Sequence, residues 1–551
     1  LSEAESTTTK RWPRAKAWLK RHRIAILIVI GFFAFLPKGA PAPSKFERDK
    51  NAWSECFVYS LAADRMAKGE AIHVLPSDPA SLLTDSEARE RIDLDVPLHP
   101  RLLQKLRGHV YSYPPMLATL ALPIASIGNY RIESLLWYLA LYAASAASLY
   151  LMWRMAMGTP GESQSAGEAS ISLRAIKSKL WPQGLSQSER RAQLEEDPTT
   201  RMIFATLFAI IGLAPFMGPL INQQTDSIIT FAAIAGAALL SRGTSGAPYF
   251  FAALLLAIAG GAKGPLLILI AWLFWKHRWM GAWRVLFFAL LLNGLGDMLF
   301  PAFEGGERIY HYQEWFTRVA APNLASGEAA ATTEGIWTTF NHQNQALAAT
   351  LTRIFAAGDR PEDVLPALIQ IGDGARKMLI YGVMALTFGL SLWATRGTPW
   401  RKDRNLIDRV WGRASLCKRE GEAKERGHIG ILRELSVFLI LALLFSPMTS
   451  PAHLCMALPA LLMVMRDAWI TRDRVMLIAL AVASAILLLV NKSLMQLFAL
   501  PINALGDSVV DGREIVNSLR FYGIQTWVLV ALLVGACRSC LLASRSADVE
   551  A

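Results

Sequence analysis

Apolar runs alternate with polar, mostly basic stretches along nearly the whole of this 551-residue chain. The first run, residues 24–37 (IAILIVIGFFAFLP), follows a basic flank at 10–23 (KRWPRAKAWLKRHR). Further runs lie at 134–153, 202–220, 227–240, 283–300, 378–394, 435–445, 454–465, 475–490 and 522–536. Several reach the ~20 residues an α-helix needs to cross a bilayer. A backbone in lipid must satisfy its own hydrogen bonds, so the pattern predicts helices. Two runs depart from it. Residues 114–128 carry Pro114, Pro115 and Pro123, and as a helix they would span ~22 Å against a ~30 Å hydrocarbon core. They predict a half-inserted or membrane-surface helix. The run around 250–279 is interrupted by Gly260, Gly261, Gly264 and Pro265, and predicts two short helices meeting at Lys263.

Composition agrees with a membrane-embedded, all-α, polytopic chain. Hydrophobic residues make up 53% and charged residues 18%, with a mean hydropathy of +0.31. The net charge of +12 sits beside the apolar runs, as cytoplasmic Lys and Arg do, so no nucleic-acid partner is expected. The same bias predicts orientation. The N-terminal segment 1–23, the stretch 154–201 with seven Lys/Arg and the stretch 396–426 with ten are expected in the cytoplasm. Loops 38–113 and 301–375 are then extracytoplasmic, and about twelve helices cross with both termini inside. The basic flank and first run could be a signal peptide, but no small-residue cleavage site follows, which favours a retained helix. The five cysteines, Cys56, Cys417, Cys455, Cys537 and Cys540, show no metal or disulfide spacing.

Candidate chemistry collects on the expected outer side. The stretch 53–115 opens with WSECFVYSLAADRMAKGE and closes with HVYSYPP. Glu55 and Tyr59 are four residues apart, on one face of a helix if the loop begins helically. Asp64, nine residues from Glu55, would lie on the opposite face. Further polar groups are Gln224 and Asp226 in the INQQTD turn, Lys263 at the broken helix, His311, the 341–353 block NHQNQALAATLTR, and His453 in SPMTSPAH. An ionisable residue at membrane depth is costly and therefore a functional candidate. Each has a plainer reading: a snorkelling lysine, a satisfied histidine, or a solvated loop carboxylate.

The order of these motifs resembles the GT-C superfamily of polyprenyl-phosphate-sugar glycosyltransferases, and most of all glycosyltransferase family 87, of mannosyl- and arabinosyltransferase type. The resemblance rests on ECFVYSLAADRMAKGE, with Glu55 where the family has Asp. It rests also on YSYPP around Tyr113, QQTD with Gln224 and Asp226, AKGP with Lys263, NQALAATLTR with Asn344, Gln345 and Arg353, and SPMTSPAH with His453. It covers residues 24–466, leaving 467–551 as C-terminal helices and a cytoplasmic tail.

The resemblance implies a GT-C-type bundle in the plasma membrane, with membrane-surface helices in the first outer loop and its site facing outward. It implies transfer of a sugar from a polyprenyl phosphate to a glycolipid or cell-envelope glycan by inverting displacement. Glu55 is expected as general base and His453 as a second catalytic group. Lys263, Arg353 and His311 are expected near the donor phosphate. Tyr59, Tyr113, Gln224, Asp226, Asn344 and Gln345 are expected around sugar and acceptor. No metal and no cofactor beyond the donor lipid are expected. A lipid-linked sugar flippase would bind the same ligand but should carry inverted repeats, and none is visible. An O-antigen ligase or polymerase would favour arginine-rich outer loops, whereas the densest arginines here lie at 396–426.

Overall fold

The computed structural model describes residues 55–73, 111–158, 184–242, 246–304, 306–322, 339–355, 365–397, 420–489 and 518–550, together with Ile26. Apart from Ile26, the run at 24–37 lies outside the described residues, as do most of loop 38–113 and most of the basic stretch 396–426.

The helices are α1 (Glu55–Ala67), α2 (Pro115–Ala125), α3 (Tyr130–Met157), α4 (Gln187–Glu196), α5 (Pro198–Asn222), α6 (Asp226–Leu240), α7 (Gly246–Ala262) and α8 (Ile268–Trp275). They continue as α9 (Trp279–Leu299), α10 (Leu347–Ile354), α11 (Asp373–Thr395), α12 (Glu420–Phe445), α13 (Leu458–Thr471), α14 (Arg474–Leu489) and α15 (Ile524–Glu550). Among the described residues, seven helical segments are long and apolar enough to cross a membrane, and five apolar helices are shorter. The protein is an all-α polytopic membrane protein. A small antiparallel hairpin, β1 (Ala302–Glu304) and β2 (Glu307–Ile309), follows α9 with Ala302 opposite Ile309.

Local sequence explains several boundaries. Ser186 caps α4 in a capping box with Glu189, satisfying N–H groups that the first turn leaves unpaired. Asp197 caps α5 through the N–H groups of Thr199 (3.3 Å) and Thr200 (3.1 Å), and Pro198 occupies the first position, where no N–H is needed. After α7, Pro265 has no N–H to carry the α-helical ladder on. Lys263 is extended there (φ −142°, ψ 100°) and a short 3₁₀ turn, Gly264–Leu267, leads into α8.

Burial separates core from rim. The Pro451–Thr471 segment is 89% buried and Gly427–Phe445 78%, whereas Asp373–Thr395 is only 22% buried. A helix that is apolar all round and buried is an interior helix, so α12 and α13 form the centre and α11 the periphery. The α2 helix does not traverse the bundle. The residues before and after it both return to α1, Tyr113 bonding Glu55 and Tyr130 packing edge-on against Phe57.

Charge divides the bundle into two polar ends. At one end Arg433 grips Asp467 bidentately (2.7 and 2.9 Å), Arg466 reaches Asp467 (2.9 Å) and Glu195 (2.6 Å), and Lys276 meets Glu434 (2.6 Å). Ser241 at the end of α6 bonds His428 of α12 at this same end. The chain therefore climbs α7 from this end to Lys263 and comes back along α8 to Lys276. The opposite end holds Glu55, Asp226, Lys263 and His453.

Candidate active site

The centre is built from the turn between α5 and α6. Gln223 is in the left-handed region (φ 54°) and ends α5. The α3 helix fixes it: Trp137 Nε1 donates to the Gln223 carbonyl (2.9 Å), and the Gln223 amide bonds the Ser134 hydroxyl (3.0 Å) and carbonyl (3.3 Å). The next three residues point into the site. Gln224 donates through Nε2 to Glu55 Oε1. Thr225 Oγ1 lies 3.3 Å from the Tyr59 hydroxyl. Asp226 opens α6, where the helix dipole favours a carboxylate.

Glu55 opens α1 and is buried. Its Oε2 accepts from Tyr59 (3.0 Å) and Tyr113 (2.6 Å). Tyr59 in turn packs against Tyr113 and Trp137, with ring centroids 5.2 and 5.4 Å apart. Burial pushes the Glu55 carboxyl above its ordinary value, and the nearby Asp226 charge adds to this; the bonds from Tyr113, Gln224 and Tyr59 oppose it. Asp64, on the far side of α1, pairs instead with Lys68 at 3.1 Å.

Beside Glu55 lies a triad around a buried carboxylate. Lys263 Nζ donates to Asp226 Oδ1 at 2.5 Å, and His453 Nε2 faces Asp226 Oδ2 at 3.5 Å. Both Asp226 and His453 are 2% exposed. Glu55, Tyr59, Tyr113, Gln224, Asp226, Lys263 and His453 thus converge from α1, α6, the Pro451–Ala457 3₁₀ segment and three connecting stretches. An ammonium has three donors and Asp226 takes one, so two remain for a ligand.

The other expected site residues lie outside this cluster, and the polar atoms of Arg353, Asn344 and Gln345 are already committed. Arg353 donates to the carbonyls of Phe521 (2.5 Å), Thr339 (2.7 Å), Asn341 (3.2 Å) and Asn344 (2.7 Å), and to Thr350 Oγ1 (3.2 Å). Burial pushes the guanidinium down to about 9, still charged at neutral pH. Asn344 Oδ1 accepts from the N–H groups of Ala346 (3.1 Å) and Thr449 (3.3 Å), while Nδ2 donates to the Pro447 carbonyl (3.2 Å). Gln345 Nε2 bonds the carbonyls of His342 (2.6 Å) and Arg520 (2.8 Å), and Oε1 accepts from Gln525 N–H (3.3 Å). Side chains engaged in this way hold loops together rather than grip phosphate or sugar. His311 is buried near the β-hairpin, where its backbone N–H donates to Asp297 (2.5 Å). Burial lowers its imidazole below the ordinary range.

Sequence reasoning passed over Thr225, Trp137, Gln223, Thr449 and Ser450. Thr225 and the Thr449–Ser450 pair lie within quoted motifs and were legible as neighbours of Asp226 and His453. Trp137 gave no local signal, because it looks like any apolar residue of a spanning helix.

Among known proteins, no curated protein and no solved structure matches the chain. Residues 111–412, more than half of it, match Glycosyltransferase family 87. That stretch contains Tyr113, Gln224, Asp226 and Lys263, whereas Glu55 and His453 join them only through the fold. With a membrane-embedded helical bundle carrying these residues in one cluster, the chain belongs to glycosyltransferase family 87.

Proposed function

We propose that the protein transfers a sugar from a polyprenyl-phosphate donor to a glycolipid or cell-envelope glycan on the extracytoplasmic face of the plasma membrane, inverting the anomeric carbon. One observation carries this reading: a carboxylate held by three donors lies beside a Lys–Asp–His triad whose aspartate and histidine are buried. Inverting transfer needs a base at the acceptor and positive or hydrogen-bonding groups at the leaving phosphate, and the cluster supplies both.

In the proposed step an acceptor hydroxyl attacks the anomeric carbon while Glu55 takes its proton. The bond from that carbon to the phosphate oxygen breaks, and its electron pair stays on the polyprenyl phosphate. Lys263 meets the gathering charge with its two remaining N–H groups, and His453 with Nε2–H. The 3.5 Å separation between His453 and Asp226 is longer than an ordinary hydrogen bond, so Nε2–H keeps donor capacity for phosphate. Asp226 orients Lys263 and moderates its charge. Gln224, Tyr59 and Tyr113 hold Glu55 and leave the base one open edge.

The test is transfer by the purified protein in lipid, supplied with defined polyprenyl-phosphate sugars and followed by mass spectrometry of the product. Lys263→Met is expected to leave a folded protein with turnover reduced about 10²–10³-fold. Movement of intact lipid-linked sugar across the bilayer, with no new glycosidic bond, would replace this reading by that of a flippase.

A further inference from the structure

His453 is the end of a one-directional chain of hydrogen bonds that starts at Arg353. Arg353 Nη2 donates to the carbonyl of Asn344 at 2.7 Å. The N–H of that same peptide unit, belonging to Gln345, donates to the carbonyl of Thr449 at 2.6 Å. The N–H of the 449–450 peptide unit, belonging to Ser450, donates to His453 Nδ1 at 3.0 Å. On the far side of the ring, Nε2 faces Asp226 Oδ2 at 3.5 Å, and Asp226 Oδ1 accepts from Lys263 at 2.5 Å.

Each hydrogen bond points the same way, from a cationic donor through two planar peptides to the imidazole, whose other nitrogen faces a carboxylate. Hydrogen bonds aligned in this manner polarise one another, by roughly 10–30% per bond. Peptide planarity makes each unit a rigid transmitter, since its C=O and N–H cannot turn independently. The Thr449 peptide is pinned further. Its N–H donates to Asn344 Oδ1 at 3.3 Å and its hydroxyl to the Leu443 carbonyl at 2.5 Å.

The consequence falls on the histidine. A ring nitrogen that accepts a backbone N–H carries no proton, and an imidazolium has no accepting nitrogen. We infer that Arg353, Asn344 and Gln345 form a positioning relay that holds His453 as a neutral imidazole with its single proton on Nε2, aimed at Asp226. Arg353 is then a positioning residue that touches no substrate. It supplies the fixed charge at the head of the relay, and the proton on Nε2 is the only one His453 can offer a ligand. The value of this for transfer rests on the reading above; the tautomer does not.

The tautomer is measurable without substrate. Protein labelled with ¹⁵N-histidine, in lipid at neutral pH, gives a His453 signal identified by its loss in His453→Gln. The expected wild-type signal is a proton-bearing Nε2 with an accepting Nδ1. An Nδ1–H tautomer or an imidazolium would overturn the relay outright. Arg353→Met is expected to replace the single tautomer by an exchanging mixture, with partial recovery in Arg353→Lys. A folded Arg353→Met protein with the wild-type signal would remove Arg353 from the relay. Should that variant not fold, Arg353→Gln, which keeps donors but no charge, reads the same signal. In the transfer assay the relay variants should lower kcat and leave KM unchanged. If no variant or wild type transfers sugar, the glycosyltransfer step fails while the tautomer result stands.

Discussion

At the scale of single residues, Glu55 joins function and stability through one carboxyl. Burial and the Asp226 charge raise its pKa above the ordinary glutamate value. A base whose folded pKa is raised must shed its proton at higher pH, so the acid limb of the transfer rate should lie above the usual carboxylate range. Stability follows from the same shift. The folded state holds this proton more tightly than the unfolded chain, so the group favours folding when protonated. That contribution fades as pH rises from the unfolded value through the folded one. Glu55→Gln keeps the shape and removes the ionisation. It should cut transfer by about 10²–10⁴-fold while melting no lower than wild type, with its advantage in Tm growing from acid to neutral pH. Transfer at wild-type rate would remove Glu55 as base. A Tm advantage that shrinks with rising pH would contradict the raised pKa.

At the scale of elements, the site depends on a close crossing. A Cβ at Gly218 in α5 would lie 2.8 Å from the Ala452 Cα, next to His453 in the Pro451–Ala457 3₁₀ segment. Backbone cannot yield as a flexible side chain does, so added bulk there forces the segment away. Gly218→Ala should destabilise the protein by about 1–3 kcal/mol and shift the His453 segment with it. Gly389 in α11 meets nothing within 4 Å, and Gly389→Ala should be neutral or stabilising by up to ~1 kcal/mol through helix propensity. Thermal unfolding of the two variants in the same lipid compares them, and equal Tm values would show that the crossing has slack. The break at Lys263 was readable from Gly264 and Pro265, because backbone rules act locally. The crossing was not, because its partner residues are more than two hundred positions apart.

At the scale of the whole molecule, polar groups occupy two separated ends. The Arg433–Asp467–Arg466–Glu195 network pairs its charges among its own members. The Glu55–Asp226–Lys263–His453 end keeps donor capacity for a ligand. The basic stretches predict which end faces the cytoplasm. In a background without reactive native thiols, Glu307→Cys on the β-hairpin should react with a membrane-impermeant reagent added outside. Ser170→Cys and Ser415→Cys, in stretches outside the described residues, should not. Outside labelling at 170 or 415 would invert the orientation and move the proposed chemistry to the cytoplasmic side.

Hydrophobic period and length by themselves determined the class of this protein, since lipid admits few backbone solutions and helical runs announce themselves locally. Motif order along the chain was enough to point to the family. The same one-dimensional reading set Arg353, Asn344, Gln345 and His311 beside the substrate, because residue type records what a side chain can bond and not what it already bonds. Only the tertiary structure decided that Asn344, Gln345 and the Arg353 guanidinium are spent on backbone groups. It alone brought Glu55 and His453, nearly four hundred residues apart, to either side of Asp226. The reason is physical: hydrogen-bonding capacity belongs to the residue, but its partners are set by packing.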